Sequence, residues 1–150
     1  MKDDNQEYVF DTRILGKHNI VNIAGCVAVA SKLGVPMKTL VQRVKLIEGV
    51  EHRQQLITSG SDLIIDDAYN SNPDGSKMAL DVLKMMPGKK IIVTPGMIEL
   101  GSIEDEENTK FGEYMADICD EVILVGNKQT KAIQKGLENK KYDKKHIHIL

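Results

Sequence analysis

The run Asp66-Asp67-Ala68-Tyr69-Asn70-Ser71-Asn72-Pro73-Asp74 sets two adjacent carboxylates, a phenol and two amides close together in the chain. It follows the apolar triplet Leu63-Ile64-Ile65, which predicts a buried strand, and precedes a pattern with helical spacing. Asn72 stands where it can cap that helix, with Pro73 in the first turn, where a missing N–H does no harm. Polar groups at a strand-to-helix junction lie at the edge of an α/β sheet where ligands bind. Asp67, at the strand end, has the chemistry to accept hydrogen bonds from ribose hydroxyls. Tyr69, Asn70 and Asn72 have the chemistry to recognise a ligand bearing amides or carboxylates. The alternative for both aspartates is that they cap turns or bind nothing. For Asn72 it is full employment as the N-cap.

A second constellation is Gly16-Lys17-His18-Asn19-Ile20-Val21-Asn22 at the start of another helical pattern. Asn19 and Asn22 are three apart and His18 and Asn22 four apart, neighbouring positions on one helix face. Side-chain amides carry both donor and acceptor, which suits the edge of an adenine ring, and the first N–H groups of the helix add donors. Plain helix capping by Asn19 is the competing explanation. A third is Glu51-His52-Arg53, whose guanidinium can grip a phosphate through two parallel hydrogen bonds. His52 reads as structural or solvent-facing.

Other chemistries are missing from these residues. No G-x-x-x-x-G-K-[ST] loop, no G-x-G-x-x-G after a strand and no serine nucleophile elbow occurs. His146-Ile147-His148 puts two imidazoles on one strand face but brings no third ligand in sequence, so no metal site is expected.

The elements that must hold these groups follow from the rest of the chain. With 150 residues, 41% hydrophobic and 28% charged, the chain can bury a core, and a net charge of −2 gives no general pull toward nucleic acid or anionic membrane. Glu99 to Glu121 is acidic and Lys128 to His148 lysine-rich, which reads as two solvated helical faces. No run is long enough to span a membrane and no signal-peptide pattern opens the chain, so a cytoplasmic location is expected. Cys26 and Cys119 have no C-x-x-C spacing and are expected to be buried free thiols.

Tyr8-Val9-Phe10 and Ile14-Leu15 suggest a strand fragment. Helices are expected from about Asn19 to Leu33 and from Pro36 to about Ile47, joined tightly at Gly34 as a hairpin. An edge strand at 53–59, a turn at Gly60-Ser61, and a strand at 62–67 follow. Then come a helix at 73–86, a strand at 90–94, a helix at 104–119, a strand at 121–126, a helix at 129–139 and a strand from His146 to Leu150. Strands alternating with helices predict α/β architecture: a doubly wound, mostly parallel sheet (Rossmann-like) preceded by a helical hairpin. The boundary is placed near residues 49–52, and a strand pattern running into the final residue suggests a piece of a longer protein.

Taken together, GKHNIVN, the helical hairpin, HR before a strand, DDAYNSNPDGSKMAL and GMIELG resemble the Mur ligases, the specific part being D-[SA]-Y-N-x-N-P. The resemblance covers nearly the whole chain and points to the branch that adds D-alanyl-D-alanine. It implies that residues 1–49 end a central ATPase domain and that residues 50–150 are the Rossmann-like C-terminal domain. It implies an ATP-dependent amide-bond-forming ligase of peptidoglycan precursor synthesis working through an acyl phosphate. The substrates implied are a UDP-sugar peptide and D-alanyl-D-alanine. By the same resemblance His18, Asn19 and Asn22 meet the adenine and Asp67 holds the ribose. Arg53 reaches the terminal phosphate as the catalytic cation, and Tyr69, Asn70 and Asn72 line the dipeptide site.

Pro95-Gly96 stands where the family has Gly-Asp, removing a carboxylate, so that loop receives no catalytic part. The P-loop, the magnesium ligands and the modified lysine of the family have no counterpart here. ATP and Mg2+ are therefore expected with the metal ligands upstream, and the fragment alone is expected to be inactive. Rival readings are another ligase of the superfamily, folylpolyglutamate-type or amidating, and a non-catalytic nucleotide- or protein-binding module.

Overall fold

The computed structural model describes residues 2, 3 and 6–150. They divide into two compact units, Met1–Asp67 and Ala68–Leu150.

In the first unit, two-residue strands β1 (Lys2–Asp3) and β2 (Gln6–Glu7) pair antiparallel. Tyr8 to Phe10 and Ile14-Leu15, expected as a strand fragment, form no strand. The rings of Tyr8 and Phe10 instead pack on a small core made by Val27, Met37, Leu40 and Val44. That core joins helix α1 (Lys17–Lys32) to helix α2 (Met37–Val44), the expected hairpin. Met37, Leu40 and Val44 follow the i, i+3, i+7 spacing of one buried stripe. α1 buries only Val27, and Cys26 on the same helix is exposed, against the expectation of a buried thiol.

Strands β3 (Gln55–Ser59) and β4 (Asp62–Asp66) form an antiparallel hairpin around Gly60-Ser61, with Gln55 opposite Asp66 and Ser59 opposite Asp62. β4 had been expected to enter the parallel sheet with its apolar residues buried. A two-residue turn pairs it with β3 instead, and Leu63 and Ile64 are exposed.

In the second unit, helix α3 (Pro73–Met85) precedes a three-stranded parallel sheet in the order β5 (Ile91–Thr94), β6 (Glu121–Leu124), β7 (Ile147–Ile149). Helices α4 (Glu104–Ala116) and α5 (Thr130–Asn139) make the two crossovers. The result is a mixed α/β architecture with a parallel sheet, as the alternation of patterns requires. Val122 and Leu124 point inward and meet Met97, Phe111, Met115, Ile133 and Leu137 in one core. α4 and α5 touch backbone to backbone, because a β-carbon added at Gly112 would overlap the Ile133 carbonyl and one at Gly136 the Thr109 carbonyl. Only residues without a β-carbon allow helices so close.

Candidate functional site

The first cluster is built where α1 begins. Gly16 is the N-cap with φ 92°, in the left-handed region, and no side chain caps the helix. Asn19, expected as a possible cap, instead donates its side-chain N–H to the Leu15 carbonyl at 2.7 Å. A β-carbon at Gly16 would lie 2.9 Å from His18 Nδ1 and 2.8 Å from Gln54 Oε1. Both of those atoms are buried and lack a hydrogen-bond partner. Asn22 lies a turn further along α1, exposed.

The hairpin brings the acidic side to the same place. Its register sets His52-Arg53-Gln54 beside the end of β4. The Gln54 N–H donates to Asp67 Oδ1 at 3.1 Å, and His52 Nδ1 lies 2.7 Å from Asp66 Oδ2. His52 and Gln54 hold this crossing with φ 59° and 49°, unusual for residues with side chains. Burial pushes the Asp67 carboxyl above its ordinary value; the Gln54 N–H and the charges of His18 and Arg53 pull it back down, while Asp66 pushes it up. Two residues singled out from sequence, His18 and Arg53, thus act on a third, Asp67, although the three are separated in the chain. Gln54 joins them and gave no signal: a glutamine near a strand start reads as surface.

The other predicted residues lie in the second unit. Asn72 is the N-cap of α3, its Oδ1 accepting from the Gly75 N–H at 2.9 Å. That acceptor is therefore in use, as the capping alternative required. Tyr69 and Asn70 are exposed in the loop before it. α3 leads through Pro87-Gly88 into β5. The loop after β5 lies at the C-terminal end of the parallel strands, where such sheets bind ligands. His146 and His148, expected at the surface, both bond Glu121, at 3.0 and 2.9 Å. Among the described residues no group of three or more His, Cys, Asp or Glu could hold a metal ion. None of their helices is long and apolar enough to cross a membrane.

The second unit is a mixed α/β fold with a three-stranded parallel sheet, and the first gathers an imidazole, a guanidinium and a carboxylate near a helix start. The chain belongs to the Mur ligase family: the model of the Mur ligase C-terminal region, described as the glutamate ligase domain, matches residues 52–150. It is 32% identical over 124 residues to the UDP-N-acetylmuramoyl-tripeptide–D-alanyl-D-alanine ligase of Bacillus subtilis, covering 80% of this chain and 27% of that protein. It is also 32% identical over 100 residues to the UDP-N-acetylmuramoylalanine–D-glutamate ligase of Lachnoclostridium phytofermentans, covering 63% of this chain and 21% of the relative. A crystal structure of MurF from Acinetobacter baumannii superposes with a TM-score of 0.82 at 28% identity, over 93% of this chain and 30% of that one. The chain thus spans under a third of the length of each of these relatives.

Proposed function

We propose that this chain is the C-terminal part of an ATP-dependent ligase of peptidoglycan precursor synthesis that joins D-alanyl-D-alanine to UDP-N-acetylmuramoyl-tripeptide. In this reading residues 1–49 end the ATPase domain and residues 50–150 form the domain that closes over the substrates. The tripeptide carboxylate is activated as an acyl phosphate, and the dipeptide amine displaces phosphate.

The observation that carries the reading is the cluster at Gly16, where His18 Nδ1 and Gln54 Oε1 are buried without partners. Buried polar atoms are ordinarily paired, and an orphaned acceptor invites a donor from a ligand. A nucleotide meets these needs: an amino group for the orphaned acceptor, ribose hydroxyls for Asp67, and phosphate charge for the guanidinium of Arg53. His18, Asn19 and Asn22 orient the base, Asp67 the sugar, and Arg53 offsets negative charge where an anion must approach a polyanion. When bound, ATP supplies the phosphoryl group that activates the carboxylate. No described residues converge as a magnesium site, so no step of the metal is assigned to this chain. Tyr69, Asn70 and the free part of the Asn72 amide receive the dipeptide.

The test is phosphate release from ATP by the full-length protein, supplied with tripeptide precursor and D-alanyl-D-alanine. Asp67→Ala and Asn22→Ala are each expected to raise the KM for ATP at least tenfold, about 1.4 kcal/mol. Indifference of ATP binding to both substitutions overturns the nucleotide site and favours a non-catalytic binding module.

A further inference from the structure

The loop after β5, Pro95-Gly96-Met97-Ile98-Glu99-Leu100-Gly101, is fixed at both shoulders. Met97 is 1% exposed, and the wholly buried Asn108 clasps it twice. Asn108 Oδ1 accepts from the Met97 N–H at 2.8 Å, and Asn108 Nδ2 donates to the Met97 carbonyl at 2.9 Å. The same Nδ2 donates to the Glu104 carbonyl at 2.9 Å, tying the clasp to the first turn of α4. On the other shoulder Leu100 packs against the main core. Between these anchors Ile98 and Glu99 stand in solvent at the C-terminal edge of the sheet.

Glu99 is held at φ 63°. A side chain in that region costs roughly 1–2 kcal/mol, a cost glycine would avoid. The carboxylate makes no hydrogen bond or ion pair among the described residues that would offset the cost. A rigid loop therefore presents an unneutralised negative charge where substrates of a parallel α/β sheet arrive. An acid–amine ligation brings the ammonium of the incoming amine to such an edge, while the nucleotide and the acyl substrate are anionic in net charge. A fixed carboxylate attracts the first and repels the others.

We propose that Glu99 is a specificity-determining residue that holds the ammonium group of the amine substrate. This rests on the ligase reading above. The measurement is steady-state kinetics of the full-length protein with D-alanyl-D-alanine as the amine. Glu99→Gln keeps the size and removes the charge; Glu99→Gly removes the charge and relaxes the backbone. Both are expected to raise the KM for the dipeptide at least tenfold, with the KM for ATP within twofold of wild type; the Tm is expected unchanged in Glu99→Gln and raised in Glu99→Gly, where the strain at φ 63° is relieved. Glu99→Asp is expected to recover part of the loss. A wild-type KM for the dipeptide in Glu99→Gln overturns the role of Glu99 and leaves the ligase reading intact. If the wild type consumes another amine, the same comparison on that amine decides Glu99. A wild type that accepts no amine overturns both.

Discussion

Cys26 and Cys119 are the same side chain in two different solvents. Cys26 lies exposed on α1, while Cys119 is buried in the main core, where desolvation pushes its thiol up to about 12. A thiolate is the reactive form, so at pH 8 one equivalent of a thiol reagent should label the native chain rapidly. The second equivalent should follow only in denaturant. Rapid labelling of both thiols under native conditions would contradict the burial of Cys119. Glu121 is perturbed in the opposite sense: hydrogen bonds from Lys89, His148 and His146 hold its carboxyl down to about 2 from an ordinary 4.5. The folded value lies below the unfolded one, so the chain takes up a proton on unfolding in acid. The stabilisation is complete above pH 4.5 and is lost as the pH falls toward 2. Chemical denaturation across that range should show a slope in wild type that is smaller in Glu121→Gln.

Two glycines govern the packing of the elements. Gly112→Ala and Gly136→Ala each drive a methyl into a backbone carbonyl of the neighbouring helix, so α4 and α5 must part. Overpacking of this kind costs about 1–3 kcal/mol, and backbone atoms yield less readily than side chains, so both variants should fall at the upper end in urea denaturation. Asn108→Leu strands the N–H and carbonyl of Met97 in the core, with an expected loss of about 2–3 kcal/mol by the same measurement. Elements governed by local chemistry were legible in the sequence. Asn72 followed by Pro73 gave the start of α3, and Gly60-Ser61 gave the β3–β4 turn. Alternation of apolar runs with helical spacing gave the three parallel strands. Less legible were choices made by tertiary packing. Tyr8 and Phe10 have β-forming side chains but serve as lids on a helical hairpin. Leu63 and Ile64 look like core residues yet are exposed on the two-stranded hairpin. Within the candidate site, His18, Arg53 and Asp67 were singled out through the resemblance to the Mur ligases; residue type and position alone left helix capping, a surface arginine and turn capping open. Gln54 and Asn108 were not singled out, because nothing local distinguishes a buried amide from a surface one.

At the scale of the molecule, the two units carry unequal cores. Among the described residues the first has an apolar cluster of four buried side chains, Val27, Met37, Leu40 and Val44, whereas the second buries ten in one cluster between sheet and helices. Opening free energy follows buried apolar contact, so amide hydrogen exchange should be slowest in β6, at Val122 and Leu124, and far faster along α1. Comparable protection in α1 and β6 would show that α1 has cover beyond the small cluster.

The position of β5 at the rim of the three-stranded sheet has a consequence for solubility. Ile91-Ile92-Val93-Thr94 is a short, uncharged, β-branched run, and Ile91 and Val93 are 49% and 63% exposed. Such a rim offers unpaired backbone groups as a template for a second copy, the geometry from which ordered aggregates grow. The flanking residues work against it: Lys90 repels a like strand on one side, and Pro95 withholds a donor on the other. Lys90→Val lengthens the uncharged run and discards one of these gatekeepers. Light scattering at 37 °C should then rise at concentrations where the unsubstituted chain stays clear.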